Sequence, residues 1–168
     1  MLKKFVRTMA YIGGIVTGFY LFASAPGIHK KTKWQHLTGW DYAHRGLYDN
    51  EHGIPENSIA AFRRAVDKGY GIELDVHLTA DNQLVVFHDD TLTRMCGMNK
   101  KISSFLYSDL MQLRLLGTEE GIPLFKDVLE LIDGKVPLII ELKVDGSNQN
   151  LLCPLVWQLL SRYKGDYC

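Results

Sequence analysis

The sequence predicts an α/β fold with a parallel sheet, and two observations support this prediction. Short, almost continuously apolar segments, typical of strands covered on both faces, alternate with amphipathic segments of helical periodicity. This alternation favours right-handed crossovers in a doubly wound sheet or a barrel, and in both folds ligands bind at the carboxyl ends of the strands. The four predicted strands end in polar or charged residues and lie at 42–46, 72–76, 85–89 and 138–143.

The first half of this pattern predicts one helix and one tight turn. A helix is expected over residues 59–68, because Asn57 or Ser58 can cap its start and Gly69 can end it. Residues 79–83 are expected to form a tight turn between the second and third strands.

The second half predicts three more helices. They are expected over residues 109–116, 124–132 and 150–163, and the fourth strand precedes the last of them. Pro154 is expected in the first turn of the last helix, where proline is tolerated.

Length and composition limit the possible functions. The chain has 168 residues, which favours one domain, and a formal net charge of zero, which argues against a nucleic-acid partner. Three widely spaced cysteines match neither a disulfide framework nor a zinc motif. We interpret them as small apolar side chains.

Residues 1–29 differ from the rest and predict a transmembrane anchor or a signal segment. Basic residues flank a stretch over 8–28 that has no charged side chain and is long enough to cross a bilayer. Residues 23–25 resemble a signal cleavage site, but Pro26 directly afterwards disfavours cleavage, so an uncleaved anchor is favoured. The expected organisation continues with a linker over 30–39 and a folded domain over 40–168.

The orientation of such an anchor is nearly undecided, because three basic residues flank each end. We expect a single-pass protein of the cell membrane, with the extracytoplasmic side slightly favoured for the folded part.

Two pairs of charged residues suggest a metal site. Glu73 and Asp75 are one residue apart in a strand, so their side chains share a face, and carboxylates this close are stable when ionised only with a cation between them. Oxygen ligands favour Mg²⁺ or Ca²⁺ over zinc. Glu141 and Lys143 are also one residue apart in a predicted strand. Glu141 is a candidate third metal ligand, and Lys143 is a candidate phosphate anchor. The alternative, a half-exposed strand of alternating charge, is disfavoured by the apolar neighbours of both pairs.

Two histidines end predicted strands and suggest acid–base chemistry. His44 and His88 are each followed by a charged residue, and a histidine pair can act as general base and general acid near neutral pH. Arg45 offers a planar fork for a phosphate group. Asp89 and Asp90 are interpreted only as orienting the loop after His88.

The remaining histidines have no evident partners in the sequence. We interpret them as solvated or incidental: His29, His36, His52 and His77.

Taken together, these motifs resemble the glycerophosphodiester phosphodiesterase family from about residue 40 to residue 143. Each motif alone is weakly specific, but their order along the chain is highly specific. The motifs are His44-Arg45-Gly46, Glu56-Asn57-Ser58, Glu73-Leu74-Asp75-Val76, His88-Asp89, Leu92-Thr93-Arg94 and Ile140-Glu141-Leu142-Lys143.

The resemblance implies a (β/α)8 TIM barrel that hydrolyses glycerophosphodiesters to an alcohol and glycerol 3-phosphate with a divalent metal. It implies that two histidines form the acid–base pair, three carboxylates bind the metal, and two basic residues contact the phosphate. On this chain the implied acid–base pair is His44 and His88, and the implied metal ligands are Glu73, Asp75 and Glu141. The implied phosphate contacts are Arg45 and Lys143, and Asn57 would support the site. Which histidine is the acid stays open.

The chain has room for about the first four of the eight units that a TIM barrel needs, because such barrels typically take about 250 residues. Its last residues, 164–168, resemble the start of a fifth strand. We therefore expect a fragment of the catalytic domain. Two alternatives are a lysophospholipase D or phosphoinositide phospholipase-like lipid hydrolase, and an inactive, membrane-tethered half-domain.

Overall fold

The computed structural model describes residues 2–24 and 35–168, and the chain divides into two compact units, Met1–Gln35 and His36–Cys168. The described part of the first unit is the helix α1 (Leu2–Ser24) together with Gln35, which begins a short 3-10 turn. Half of the predicted linker, residues 30–34, lies outside the described residues, and so do the residues after Ser24 in the predicted cleavage pattern.

The prediction of a transmembrane segment is not supported. Among the residues that the structure describes, no helix is both long and apolar enough to span a bilayer. A span needs about 20 residues, and any stretch of that length within α1 includes Arg7 together with glycine, threonine and tyrosine residues. These residues lower its mean hydropathy.

The second unit is built on a four-stranded sheet with helices between its strands. The strands are β1 (Tyr42–His44), β2 (Gly71–Leu78), β3 (Leu84–Val86) and β4 (Leu138–Leu142). The helices are α2 (Ile59–Lys68), α3 (Thr93–Cys96), α4 (Tyr107–Leu110), α5 (Phe125–Ile132) and α6 (Gln149–Leu160).

Strand β2 is the centre of the sheet and sets the register of the others. It pairs in parallel with β1 and with β4, as predicted. It pairs antiparallel with β3, so the prediction that all four strands are parallel is wrong for β3. The reversal occurs at residues 79–83, where the Thr79 N–H donates to the Gln83 carbonyl and Asn82 has a φ of 61°.

The apolar residues of β2 face the helices. Ile72, Leu74 and Val76 are fully buried in one core cluster with Phe62 of α2 and Phe125 of α5. Burying each large apolar side chain contributes about 1.5–3 kcal/mol to folding. Because side chains alternate along a strand, this arrangement places the odd-numbered polar residues of β2 on the opposite face.

The helix boundaries follow local capping, with two departures from prediction. The Ser58 hydroxyl accepts the Ala61 N–H at the start of α2, and Gly69 ends it with a φ of 71°. The helix predicted over 109–116 is the short α4, and α6 begins at Gln149, so Pro154 lies inside it rather than in the first turn.

The residues at 166–168 run beside β4. The Leu138 N–H donates to the Asp166 carbonyl, the Ile140 N–H donates to the Cys168 carbonyl, and Leu138 and Tyr167 form a parallel bridge. This contact is an isolated bridge and not a strand of the sheet, so the interpretation of residues 164–168 as the start of a fifth strand stays a prediction.

Candidate active site

Three carboxylates meet where β2 and β4 lie side by side. Glu73 and Asp75 share a face of β2, and the register places Glu141 of β4 directly beside Asp75. One oxygen of each carboxylate lies within 4.8 Å of the others. Asp75 is fully buried, Glu73 is half-buried and Glu141 is exposed. We call Glu73, Asp75 and Glu141 the carboxylate triad.

Neighbouring groups hold the triad in place. The backbone N–H of Arg45 donates to Glu73 Oε2 at 3.0 Å, and Asn57 Nδ2 donates to Asp75 Oδ2 at 2.9 Å. Arg45 and Asn57 both have a positive φ, 58° and 55°, and the Asn57 N–H donates to the Arg45 carbonyl. Such backbone is unusual outside glycine and is found at functional sites.

The electrostatics of the triad favour a bound cation. Burial and the nearby charges of Asp75 and Glu141 raise the pKa of Glu73, against the opposing effects of the Arg45 N–H and His44. A divalent cation would relieve this repulsion. The donors are all oxygen atoms, which suit Mg²⁺ or Ca²⁺. The buried Asn57 Oδ1, which accepts no hydrogen bond from the described residues, adds another oxygen nearby.

Lys143 contacts the triad directly. Its Nζ lies 2.9 Å from Asp75 Oδ1 and 2.7 Å from Glu141 Oε1. Burial by itself would lower the pKa of Lys143, but the hydrogen bonds to Glu141 and Asp75 outweigh burial and raise it. The structure thus places this predicted phosphate anchor against two of the three predicted metal ligands.

Arg45 lies on the other side of Asp75. Its guanidinium donates to Glu56 Oε1 at 2.8 Å, and its Nε lies 3.8 Å from Asp75 Oδ2. The predicted phosphate contact is therefore partly engaged with a neighbouring carboxylate, which fixes the direction of its side chain.

The two predicted catalytic histidines reach this edge of the sheet by different routes. His44 ends β1, and its Nε2 lies 3.8 Å from Glu73 Oε2 with the side chain 64% exposed. His88 follows β3, which the hairpin brings back along β2, so that the Phe87 N–H donates to the Asp75 carbonyl. His88 Nδ1 lies 2.7 Å from Asp89 Oδ1.

An ion-pair network that the sequence did not predict lies beside the triad. Arg94 donates to Glu56 Oε2 and Oε1 at 2.9 and 2.7 Å, and to Asp89 Oδ2 and Oδ1 at 2.8 and 2.9 Å. Glu56 and Arg94 belong to two of the motifs, but no pattern in the sequence indicates that residues 38 positions apart would pair. Asp89, expected only to orient the loop after His88, also pairs with Arg94 and contacts the His88 ring.

This network keeps two carboxylates ionised. Burial would raise the pKa of Glu56, but hydrogen bonds from Arg94, Arg45 and Asn50 outweigh it and lower the pKa to about 2. The hydrogen bond from Arg94 is the main cause that lowers the pKa of Asp89 to about 2, and the hydrogen bond with His88 adds to it. Partial burial acts in the opposite direction but is outweighed.

His77 corrects another interpretation. It is not solvated, because it is 3% exposed, and it is not without a partner, because its Nε2 lies 3.2 Å from the His88 carbonyl oxygen. Burial lowers the pKa of His77, so its neutral form is favoured. Its position two residues after Asp75 on the same strand face was a usable signal.

We expect Glu56→Gln to weaken the dependence of stability on acidic pH. The folded chain keeps Glu56 ionised down to about pH 2, whereas the unfolded chain takes up a proton near 4.5. The unfolded state therefore binds more protons in this window, and falling pH removes up to about 3 kcal/mol of stability linked to Glu56. Urea unfolding at several pH values measures this slope.

The matched control for this measurement is Glu119→Gln, because Glu119 is exposed and outside the network. It should keep the slope of the parent chain. Equal slopes for Glu56→Gln and the parent would contradict the assignment of Glu56 as a strongly ionised, buried carboxylate.

Comparison with known proteins identifies the same family that the sequence motifs resemble. The sequence model of the glycerophosphoryl diester phosphodiesterase family matches residues 44–160. Lysophospholipase D GDPD1 of Rattus norvegicus is 31% identical over 172 residues, which cover 95% of this chain and 52% of that protein. A glycerophosphodiester phosphodiesterase of Bacillus altitudinis is 36% identical over 113 residues, covering 63% of this chain and 45% of that protein. The chain spans about half the length of these curated relatives.

Solved structures share the fold over most of the chain. A phosphodiesterase of Oleispira antarctica, solved in complex with the product sn-glycerol-3-phosphate, has a TM-score of 0.70 and 26% identity and covers 78% of this chain and 56% of its own. A glycerophosphodiester phosphodiesterase of Parabacteroides distasonis has a TM-score of 0.65 and 35% identity, with 76% and 55% covered. The α/β fold is that of part of a TIM barrel, and this chain belongs to the glycerophosphoryl diester phosphodiesterase family.

Proposed function

We propose that this chain carries the metal-dependent centre of a phosphodiesterase that hydrolyses glycerophosphodiesters to an alcohol and glycerol 3-phosphate. The observation that supports it most directly is the carboxylate triad, three acidic oxygens within 4.8 Å of one another. Family membership and the likeness to an enzyme solved with glycerol 3-phosphate support the substrate class.

The triad would hold the cation, with Glu73, Asp75 and Glu141 as its protein ligands. A divalent cation bound there would offset the negative charge of the phosphodiester and lower the pKa of a neighbouring hydroxyl or water. Asn57 keeps Asp75 in the orientation needed for binding, through its 2.9 Å hydrogen bond.

Arg45 and Lys143 would bind the phosphate group. Their cationic groups lie against opposite oxygens of Asp75, Oδ2 for Arg45 and Oδ1 for Lys143. A phosphate near the triad would therefore lie between a planar guanidinium fork and a compact ammonium group.

The two histidines would move the protons. Asp89 is ionised and can only accept a hydrogen bond, so the short contact places a proton on His88 Nδ1 and leaves Nε2 to exchange a proton with the substrate. His44, beside Glu73 at 3.8 Å, would serve as the second proton carrier, so that one histidine acts as base and the other as acid.

A second candidate function is lysophospholipase D activity. The observation that favours it is the match over 95% of this chain to a mammalian protein of that name. Both reactions break a phosphodiester bond at the same kind of centre, and they differ in whether the glycerol carries an acyl chain.

Product analysis distinguishes these functions. We expect the purified chain, supplied with Mg²⁺ or Ca²⁺ and glycerophosphocholine, to release glycerol 3-phosphate and choline, as followed by phosphorus NMR. A parallel reaction with lysophosphatidylcholine tests the second candidate, whose product is lysophosphatidic acid. Release of phosphocholine from glycerophosphocholine would contradict the proposed bond cleavage, and turnover of neither substrate would favour the inactive half-domain.

A further inference from the structure

Arg94 makes a double fork of hydrogen bonds. Two of its guanidinium nitrogens donate to both oxygens of Glu56 at 2.9 and 2.7 Å. Nε and one terminal nitrogen donate to both oxygens of Asp89 at 2.8 and 2.9 Å. Paired contacts of this kind fix the orientation of both carboxylates, and a lysine could not reproduce them.

Each carboxylate in the fork also contacts a residue of the proposed site. Asp89 Oδ1 lies 2.7 Å from His88 Nδ1, and Glu56 Oε1 accepts a hydrogen bond from Arg45 at 2.8 Å. Arg94 therefore lies at the middle of a continuous path of ion pairs from His88 to Arg45.

The loop that carries His88 has few other anchors near this edge of the sheet. The Phe87 N–H donates to the Asp75 carbonyl and the Ile102 N–H donates to the Asp90 carbonyl, while His77 contacts the His88 carbonyl. All of these fix backbone atoms. Among the described residues, the imidazole of His88 has one recorded side-chain partner, Asp89.

We propose that Arg94 is a positioning residue for His88, which holds Asp89 in the orientation that keeps the imidazole proton on Nδ1. This inference rests on the proposed function, because His88 matters to turnover only if the chain is a phosphodiesterase. Arg94 touches neither the triad nor, through its recorded contacts, the proposed phosphate position, and it acts through Asp89.

The proposal has a spectroscopic consequence that does not depend on turnover. A neutral imidazole in water favours the form with its proton on Nε2. When Asp89 is held beside His88, the proton is kept on Nδ1 instead. Removing Arg94 frees the Asp89 side chain to rotate, and the preference of the free imidazole should return.

The test combines kinetics and nitrogen-15 NMR of the histidine side chains on the full chain. Arg94→Met should lower kcat on glycerophosphocholine by about 100-fold, the effect of a misplaced catalytic group, with little change in KM. The His88 signals should shift towards the form protonated on Nε2. Arg114→Met is the control, because Arg114 is exposed and donates only to backbone carbonyls in its recorded hydrogen bonds.

A double-variant comparison tests whether Arg94 acts through Asp89. In an Asp89→Asn background, Arg94→Met should reduce kcat far less than it does in the parent. An equal reduction in both backgrounds would overturn the proposal, as would parental kcat and parental His88 signals in Arg94→Met.

The role of Arg94 and the proposed function can fail separately. If the parent chain hydrolyses no glycerophosphodiester, the proposed function fails, and the NMR signals of His88 alone decide the role of Arg94.

If Arg94→Met does not fold, Arg94→Lys replaces it, since an ammonium group cannot reproduce both forks. Arg94→Lys should then show an intermediate loss of kcat and a partial NMR shift, and parental values for both would overturn the proposal.

Discussion

Replacing Asp75 with asparagine is expected to weaken the binding of Mg²⁺ or Ca²⁺ strongly and, with it, the hydrolysis of glycerophosphodiesters. Asp75 is the most buried member of the triad, and it lies between Glu73 on its own strand and Glu141 on the neighbouring one. Losing a group that merely supports a metal ligand costs about 10–100-fold. Losing the central ligand should cost at least about 100-fold in cation affinity, and activity should fall at least as far.

Calorimetric titration of the cation and a kinetic assay measure the two effects separately. Asp67→Asn is the matched control, because it removes one carboxylate from the exposed surface of α2 and leaves the triad intact. Cation affinity in Asp75→Asn equal to that of Asp67→Asn would show that the triad is not the metal site.

His88→Ala and His44→Ala are each expected to reduce kcat by about 10²–10⁴-fold, the usual contribution of a positioned general acid or base. Cation affinity should change little in His88→Ala, since Asp89 is the recorded side-chain partner of His88. His44 lies 3.8 Å from Glu73, so His44→Ala tests whether this contact also affects the metal site.

His52→Gln is the control for both histidine variants. His52 is 77% exposed and pairs with Asp49 in a surface turn, so its replacement should leave kcat unchanged. If either His44→Ala or His88→Ala keeps the turnover of this control, the acid–base assignment of that histidine is wrong.

The carboxylate triad could be predicted because it depends on local rules. Glu73 and Asp75 lie on one face of a strand by alternation alone. Glu141 joins them because buried parallel strands of a sheet end at a shared edge, and the register then places it beside Asp75. The choice of these three carboxylates as candidate metal ligands followed from these two rules and the chemistry of oxygen donors.

The antiparallel direction of β3 also follows from the sequence, through the length of the turn before it. Parallel strands need a crossover of a dozen or more residues, whereas a short turn joins antiparallel neighbours. The turn at residues 79–83 is too short for a parallel connection. His88 therefore reaches the site because the hairpin folds back, and not because a third parallel strand ends there.

The Arg94 network could not be predicted in the same way. Glu56 and Arg94 are 38 positions apart, in a loop and a four-residue helix, and no periodic pattern connects such positions. Their pairing depends on how the loops pack over the sheet. His77 is the opposite case, because its place on the triad's face of β2 followed from alternation and was overlooked.

The prediction for the first unit depended mainly on composition. The absence of charge over residues 8–28 suggested a membrane span, and a helix does form over Leu2–Ser24. Glycine, threonine and tyrosine are uncharged but weakly apolar, and no described helix is apolar enough to cross a membrane.

The most direct test of the central claim is the release of glycerol 3-phosphate from glycerophosphocholine by the purified chain, with and without a chelator. The account predicts hydrolysis that stops when the chelator removes divalent cations and returns when Mg²⁺ or Ca²⁺ is added back in excess. Hydrolysis that continues at the same rate in the chelator, or no hydrolysis with either cation, would contradict the claim that the triad supports metal-dependent phosphodiester cleavage.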